Sequence, residues 1–252
     1  MTDSLGYRMK YAVVAPSTNT SVQPEYEDMR PRGVTNHFSR ISIPDTKVTT
    51  DDSFMVMLNN IREATMDAVD VSMSMEPGCV IMGMSAETFW DGAEGAERLH
   101  KRMLERTGGV PVIMGSTAVD AAIKAYSSEG KAIRKIGIIT PYMPVGDANV
   151  RKFFEDQGYE VVNLIGLQSP SPMMIAHESK QTLKNAAIAV SEGVDAVIQC
   201  GTNLAFAEVA AMAEFWLEKP VIAINTATYW HALRTMGIKD QKDGFGRLLA
   251  QF

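Results

Sequence analysis

Cys200 closes a short apolar run, Val194-Asp-Ala-Val-Ile-Gln-Cys200, and Gly201-Thr202-Asn203 follows it. Such a run between glycines predicts a strand buried on both faces, Val194 to Cys200. A thiol at the carboxyl end of a buried parallel strand stands where open α/β sheets bind ligands. The turn at Gly201-Thr202-Asn203 is predicted to cap a helix over Leu204 to Leu217, whose free N–H groups can hold an anion. A thiol beside that anion can exchange a proton with it. A buried structural cysteine is the competing reading, because most free thiols are packing residues. A second run, Cys79 to Met84, ends at Ser85 in the same way.

The elements that position these residues alternate throughout. Tyr11 to Ala15 predicts a strand that leads into Pro16-Ser-Thr-Asn-Thr20 and then a helix. Phe38 to Ile43 alternates as a strand. Asp51 to Met75 is helical through Phe54, Leu58, Ile61, Thr65, Ala68 and Val69, and Pro77-Gly78 breaks it. A helix over Ala93 to Thr107 closes at Gly108-Gly109, and Val110 to Met114 is a fourth strand. The pattern restarts with strand Lys135 to Thr140, helix Val145 to Gln157, strand Glu160 to Ile165 and helix Ser179 to Glu192. Strand Val194 to Cys200, helix Leu204 to Leu217, strand Pro220 to Ile224 and helix Thr228 to Met236 complete it. Met1 to Arg8 is predicted to be a loose tail.

The restart is an internal duplication. Pro111-Val-Ile-Met-Gly-Ser-Thr-Ala118 is echoed by Pro220-Val-Ile-Ala-Ile-Asn-Thr-Ala227. The following segments Ala121–Tyr126 and His231–Met236 correspond, as do Ala15-Pro16 and Thr140-Pro141. Ser85 and Cys200 therefore occupy equivalent places. The predicted fold is α/β, with two pseudo-symmetric lobes, each a four-stranded parallel sheet flanked by helices, and the active site in the cleft between them. The first lobe is taken as residues 1–116 plus 226–252 and the second as 117–225.

Bulk properties narrow the partners. The chain has 252 residues, 46% hydrophobic and 21% charged, with a net charge of −6, so it lacks the basic footprint of a nucleic-acid binder. No apolar stretch is long enough to span a membrane, and Met1 to Lys10 carries no signal-peptide pattern. Two cysteines make no disulfide framework and fit a reducing, cytoplasmic compartment. With His37, His100, His177 and His231 they form no metal-ligand spacing, so no metal is expected.

Seven motifs, in order, resemble the aspartate/glutamate racemase superfamily, and within it the branch of arylmalonate decarboxylase and maleate isomerase. They are Pro16-Ser-Thr-Asn-Thr20, Met82-Gly-Met-Ser85, Ser116-Thr-Ala118, Thr140-Pro-Tyr142, Cys200-Gly201, Pro220-Val221 with Thr226-Ala227, and Gly244-Phe-Gly-Arg-Leu248. The resemblance covers nearly the whole chain. It implies a cofactor-independent enzyme, a small dicarboxylate substrate and a homo-oligomer, with a dimer favoured. It implies Cys200 as the catalytic thiol. Racemases and maleate isomerase of this superfamily use one cysteine on each lobe, whereas arylmalonate decarboxylase keeps only the second. This chain has Ser85 at the first-lobe position. Met84 stands where the decarboxylase pattern has threonine, and Pro16-Ser-Thr-Asn-Thr20 follows the isomerase pattern, in which the asparagine binds a substrate carboxylate. The resemblance also implies donors at the Ser85 and Tyr142 hydroxyls and the Met84 and Gly201 N–H groups.

A serine hydroxyl has no thiolate-like form near neutrality, whereas a thiol of pKa about 8.5 gives and regains a proton. One thiol supports protonation of one face of a carbanion and not two-sided racemisation. The expected activity is decarboxylation of a small malonate-type dicarboxylate, with Cys200 protonating the enediolate. Isomerisation or racemisation of a small dicarboxylate, or binding without catalysis, are the alternatives. Among the other candidates, Asn19 caps the next helix or binds a carboxylate, and Ser85 can both cap and donate. Tyr142 packs or reaches the site. Thr117 and Thr226 follow strand ends and can reach the cleft or serve as turn and cap residues; Thr117 and Pro16 are counted with the substrate-binding set. His231 is assigned to a core or interface. Phe89 and Trp90 wall the cleft or pack. Cys79, about 20 Å from the strand end that carries Ser85, is assigned to the core.

Overall fold

A computed structural model describes residues 3–43, 47, 49–127 and 130–252, except for the side chains of Phe54 and Glu63. The first sheet contains β1 (Met9–Pro16), β2 (Val34–Ile41), β3 (Cys79–Met82) and β4 (Val112–Ile113), in the order β2-β1-β3-β4. The second contains β5 (Lys135–Thr140), β6 (Glu160–Gly166), β7 (Ala196–Gln199) and β8 (Val221–Ala223), in the order β6-β5-β7-β8. Every pairing is parallel. The two orders are the same path repeated, as the duplicated sequence predicts. The register corrects one expectation: Val14 pairs with Met82 as Ile139 pairs with Gln199, so Gly83, and not Ser85, is the counterpart of Cys200. The central strands β1, β3, β5 and β7 are almost wholly buried. Their apolar runs are covered on both faces by helices, which is the general condition for a parallel sheet.

The helices of the first half of the chain are α1 (Val22–Met29), α2 (Asp51–Met73), α3 (Gly92–Arg106) and α4 (Gly115–Ser127). Those that follow are α5 (Pro144–Asp156), α6 (Lys180–Val190), α7 (Ala207–Leu217), α8 (Ile224–Thr235) and α9 (Arg247–Gln251). Helices α4 and α8, which follow the echoed Pro-Val-Ile strands, pack on each other. Gly115 permits this approach: a Cβ there would fall 2.7 Å from Ile224 Cδ1.

Several boundaries move for identifiable reasons. Helices α4 and α8 start at Gly115 and Ile224, ahead of the predicted Ala121 and Thr228. Their Ser, Thr and Asn residues form the first turn, where N–H groups need no helical partner. Helix α2 takes its Thr50 cap, whose Oγ1 accepts from Ser53 N at 3.2 Å. Phe54, used to read its periodicity, has a side chain outside the described residues. Helix α7 starts at Ala207 rather than Leu204. Thr202 and Asn203 do not cap it, because their side chains are engaged by the first lobe. Of the tail expected to be loose, Met1 and Thr2 lie outside the described residues. Arg8 is tied down: its N donates to Gly33 O and its guanidinium pairs with Asp240.

Candidate active site

Four strand ends converge between the lobes. β1 delivers Pro16 and the loop to Asn19, and β3 delivers Met84 and Ser85. β5 delivers Pro141 and Tyr142, and β7 delivers Cys200, Gly201 and Thr202. Pro16, Asn19, Met84, Ser85, Tyr142 and Gly201 line one cleft, with about 70 Å³ open to water-sized groups. That space suits a small acid.

The polar end of the cleft is a hydrogen-bonded chain across the lobes. Ser85 Oγ lies 2.6 Å from Tyr142 Oη and accepts from Thr202 N at 3.0 Å. The serine hydroxyl therefore does not cap the short 3-10 turn that begins at Ala86; it spans to the second lobe. Gly201 is required where the loops meet, since a Cβ there would fall 2.5 Å from Pro141 Cδ. Asn19 performs the capping role and also ties the two lobes together. Its Oδ1 accepts from Ser21 N and Val22 N at the start of α1, and its Nδ2 donates to Thr202 Oγ1 at 3.2 Å. Asn203 extends the clasp, accepting from Thr20 N at 2.9 Å and donating to Pro172 O at 2.9 Å.

Cys200 has no exposed surface and does not line the cleft. Its chain neighbours Gly201 and Thr202 line it, as does Tyr142. Burial pushes the Cys200 thiol well above its ordinary range, and the negative charge of Asp147 adds to this. The thiol is therefore neutral at physiological pH. Tyr142 is likewise raised by burial and stays protonated, opposed by its hydrogen bond with Ser85. Asp147 accepts a hydrogen bond from Thr140 Oγ1, and Thr140 Oγ1 accepts from Tyr142 N at 3.1 Å. Burial raises the Asp147 carboxyl to about 6.

Thr117 is not brought to this cleft. It is exposed on α4, where its Oγ1 donates to Met114 O at 3.1 Å, and it lines a separate depression with His100 and His231. The reason is the early start of α4, which turns Thr117 away from the strand end. Thr226 is buried in α8. Phe89 packs edge-on against Phe153 in the core, and Trp90 lies under Arg62. Cys79 is buried at the start of β3, its thiol pushed by burial to about 12. Among the described residues no cluster of three or more His, Cys, Asp or Glu is arranged to hold a metal, and no helix is long and apolar enough to cross a membrane.

Sequence reasoning missed the apolar wall and part of the clasp. Met57 and Ile61, one turn apart on α2, and Met143 and Ile175 face the same cleft. The i, i+4 spacing on α2 signals a buried face but not what it faces. Ser169 and Ser171, beside Pro170 and Pro172, also line the cleft at a loop whose composition marks it only as a turn.

A family model described as arylmalonate decarboxylase matches residues 12–249, and the chain belongs to that family. It is accordingly an enzyme, a lyase or isomerase of the aspartate/glutamate racemase superfamily. Maleate isomerase of Pseudomonas putida is 22% identical over 246 residues, covering 94% of this chain and 95% of the relative. The fold matches a mutant of Nocardia farcinica maleate cis-trans isomerase with a covalently bound succinylcysteine intermediate, at a TM-score of 0.85 and 20% identity over 97% of this chain and 99% of that one. It matches arylmalonate decarboxylase at a TM-score of 0.72 and 19% identity, over 95% and 98%.

Proposed function

We propose that the protein is a cofactor-independent decarboxylase of a small malonate-type dicarboxylate, with Cys200 as the proton donor. The observation that carries this reading is that two corresponding strand ends bring a thiol and a hydroxyl toward the cleft, with Ser85 two residues beyond the counterpart of Cys200. A buried, neutral thiol ends β7, and a serine hydroxyl bonded to Tyr142 and Thr202 N follows β3.

In the reaction the bond between the α-carbon and one carboxylate breaks. Its electron pair moves into the remaining carboxylate to form an enediolate, and carbon dioxide leaves. The Sγ–H proton then moves to the α-carbon, and water restores the thiol. The Ser85 and Tyr142 hydroxyls and the Thr202 N–H are the donors for the enediolate oxygens. Groups of this kind are worth about 3 kcal/mol each when aimed at developing charge. Among the described residues no Lys, Arg or His lines the cleft, so a second carboxylate beside Met57, Ile61 and Met143 lacks a counter-charge, and its loss relieves that cost. The thiol must contact the cleft during turnover, which requires its burial behind Gly201 and Thr202 to change.

Two unpaired cysteines fit a cytoplasmic compartment. The exposed Met212, Phe215 and Trp216 on α7 fit burial in a homodimer, which sedimentation would reveal.

The test is turnover of phenylmalonate and methylmalonate in deuterium oxide. The expected outcome is carbon dioxide release with one deuterium placed at the α-carbon in a single configuration. A second reading, cis-trans isomerisation of maleate, is favoured by the name of the curated relative and by the succinylcysteine in a neighbour of the same fold. Conversion of maleate to fumarate without carbon dioxide release would decide for it.

A further inference from the structure

Glu25 lies on α1 in the first half of the chain, yet both of its carboxylate oxygens serve the second. Oε1 accepts from Ala207 N, the first residue of α7, at 3.1 Å. Oε2 accepts from Asn225 Nδ2 at 2.6 Å, and the same Nδ2 donates to Thr202 O at 2.9 Å. Thr202 N donates to Ser85 Oγ. One continuous path therefore runs from Glu25 through Asn225 and the Thr202 peptide to Ser85 and Tyr142. Gln199 secures the preceding peptide, donating from Nε2 to Gly201 O at 2.7 Å. Glu25 does not line the cleft.

We infer that Glu25 is a positioning residue, which holds the Gly201–Thr202 backbone through Asn225 and the start of α7, and so aims the Thr202 N–H at the reacting centre. The inference rests on the reading of the Cys200 loop as the reacting one. Its chemistry is specific to a carboxylate. Asn225 presents its amide N–H to Glu25 and Thr202 together, while its own Oδ1 is buried without a partner. The ionised carboxylate, with two acceptor oxygens, fixes that orientation. Glutamine there would set Nε2 against either Ala207 N or Asn225 Nδ2, donor facing donor in both orientations, and the second places the clash at Asn225. A flip of Asn225 would relieve this clash but turn Oδ1 toward Thr202 O, breaking the bond that holds the loop. Burial raises the Glu25 carboxyl to about 7, against the two N–H groups that favour its charged form. A carboxylate kept in such a place against its desolvation fits a role in orientation.

Amide hydrogen exchange in the full-length Glu25→Gln variant tests this without a known substrate. The expected result is exchange at Thr202 faster by about tenfold, the loss of one hydrogen-bonded constraint, with Val197 and Ile198 of β7 unchanged. If the wild type turns over phenylmalonate, kcat should fall by a similar factor with KM nearly constant. Unchanged Thr202 exchange in folded Glu25→Gln would overturn the inference, as would a uniform rise that includes Val197 and Ile198, the signature of general destabilisation. Should Glu25→Gln not fold, Asn225→Ser is measured in the same way, because a serine hydroxyl donates to Glu25 or to Thr202 O but not to both. A wild type that releases no carbon dioxide counts against the decarboxylase reading, while the exchange comparison still decides the role of Glu25.

Discussion

The two halves follow the same path through their sheets and differ where the third strand of each half ends. After β3 the chain presents a hydroxyl, Ser85, at the cleft and already bonded to the other half. At the end of β7 it presents a thiol with no exposed surface. The carboxylates nearby differ as well. Glu87, two residues past Ser85, is neutralised by Arg62 at 2.7 Å. Asp147 instead bonds the Thr140 hydroxyl, and its charge reaches Cys200. A duplicated scaffold thus supplies symmetric placement, and local electrostatics divides the labour. In the proposed reaction one end stabilises charge and the other holds a proton.

The largest expected effect comes from removing the thiol. Cys200→Ala should lower carbon dioxide release from phenylmalonate by about a thousandfold, within the range for loss of a general acid. Cys79→Ala, the matched control in the other half, should leave it within about twofold, with any loss confined to stability. Full activity in Cys200→Ala would end the assignment of roles to the two halves.

Removing the hydroxyl comes next. Ser85→Ala should cost about a hundredfold in kcat, the usual effect of losing one donor to a developing oxyanion. Gly83→Cys sharpens the same comparison by making the two strand ends alike, since Gly83 is the counterpart of Cys200 in the strand register. With a thiol on each side of the carbanion, the product should carry deuterium in both configurations. A product of unchanged enantiomeric purity would show that the two strand ends do not face opposite sides of the intermediate.

Tyr142→Phe should have a smaller effect, about tenfold in kcat, because Ser85 keeps its bond to Thr202 N when the phenol is gone. A loss as large as that of Ser85→Ala would place Tyr142 as an equal partner in charge stabilisation.

The architecture was legible in the sequence because a parallel sheet leaves strong marks: apolar runs, glycine and proline breaks, and here a repeated Pro-Val-Ile register. Strand β5 has the predicted bounds, Lys135 to Thr140. The cleft was legible where residues follow strand ends, as with Ser85, Tyr142 and Gly201. It was not legible where side chains of one half bond the other. Thr202 and Asn203 have ordinary capping residue types, and only their partners Asn19, Thr20 and Ser21 show that they clasp the lobes. Thr117 misled for the complementary reason, since its position after a strand could not reveal a helix starting at Gly115. Glu25 carries no signature at all, because its partners lie about 180 and 200 residues away.

The smallest expected effect tests the electrostatic side of the comparison. Burial raises the Asp147 carboxyl from 3.8 to about 6 in the folded chain. Between those values the folded chain retains a proton that the unfolded chain has released. Stability from this group is therefore fully present below the lower value and is lost as pH rises through the upper one. Glu25, raised to about 7, acts with the same sign, so the wild-type profile alone does not isolate Asp147. Asp147→Asn does, because its amide does not titrate. Between pH 4 and 7 the wild type should lose several degrees in Tm relative to this variant, as the rise of that carboxyl to about 6 implies for a chain of this size. The Cys200 thiol, relieved of a neighbouring negative charge, should also be alkylated by iodoacetamide at lower pH in the variant. Parallel Tm profiles would mean that Asp147 does not carry its charge change into folding, and an unmoved alkylation profile would leave the acidity of the thiol to burial alone.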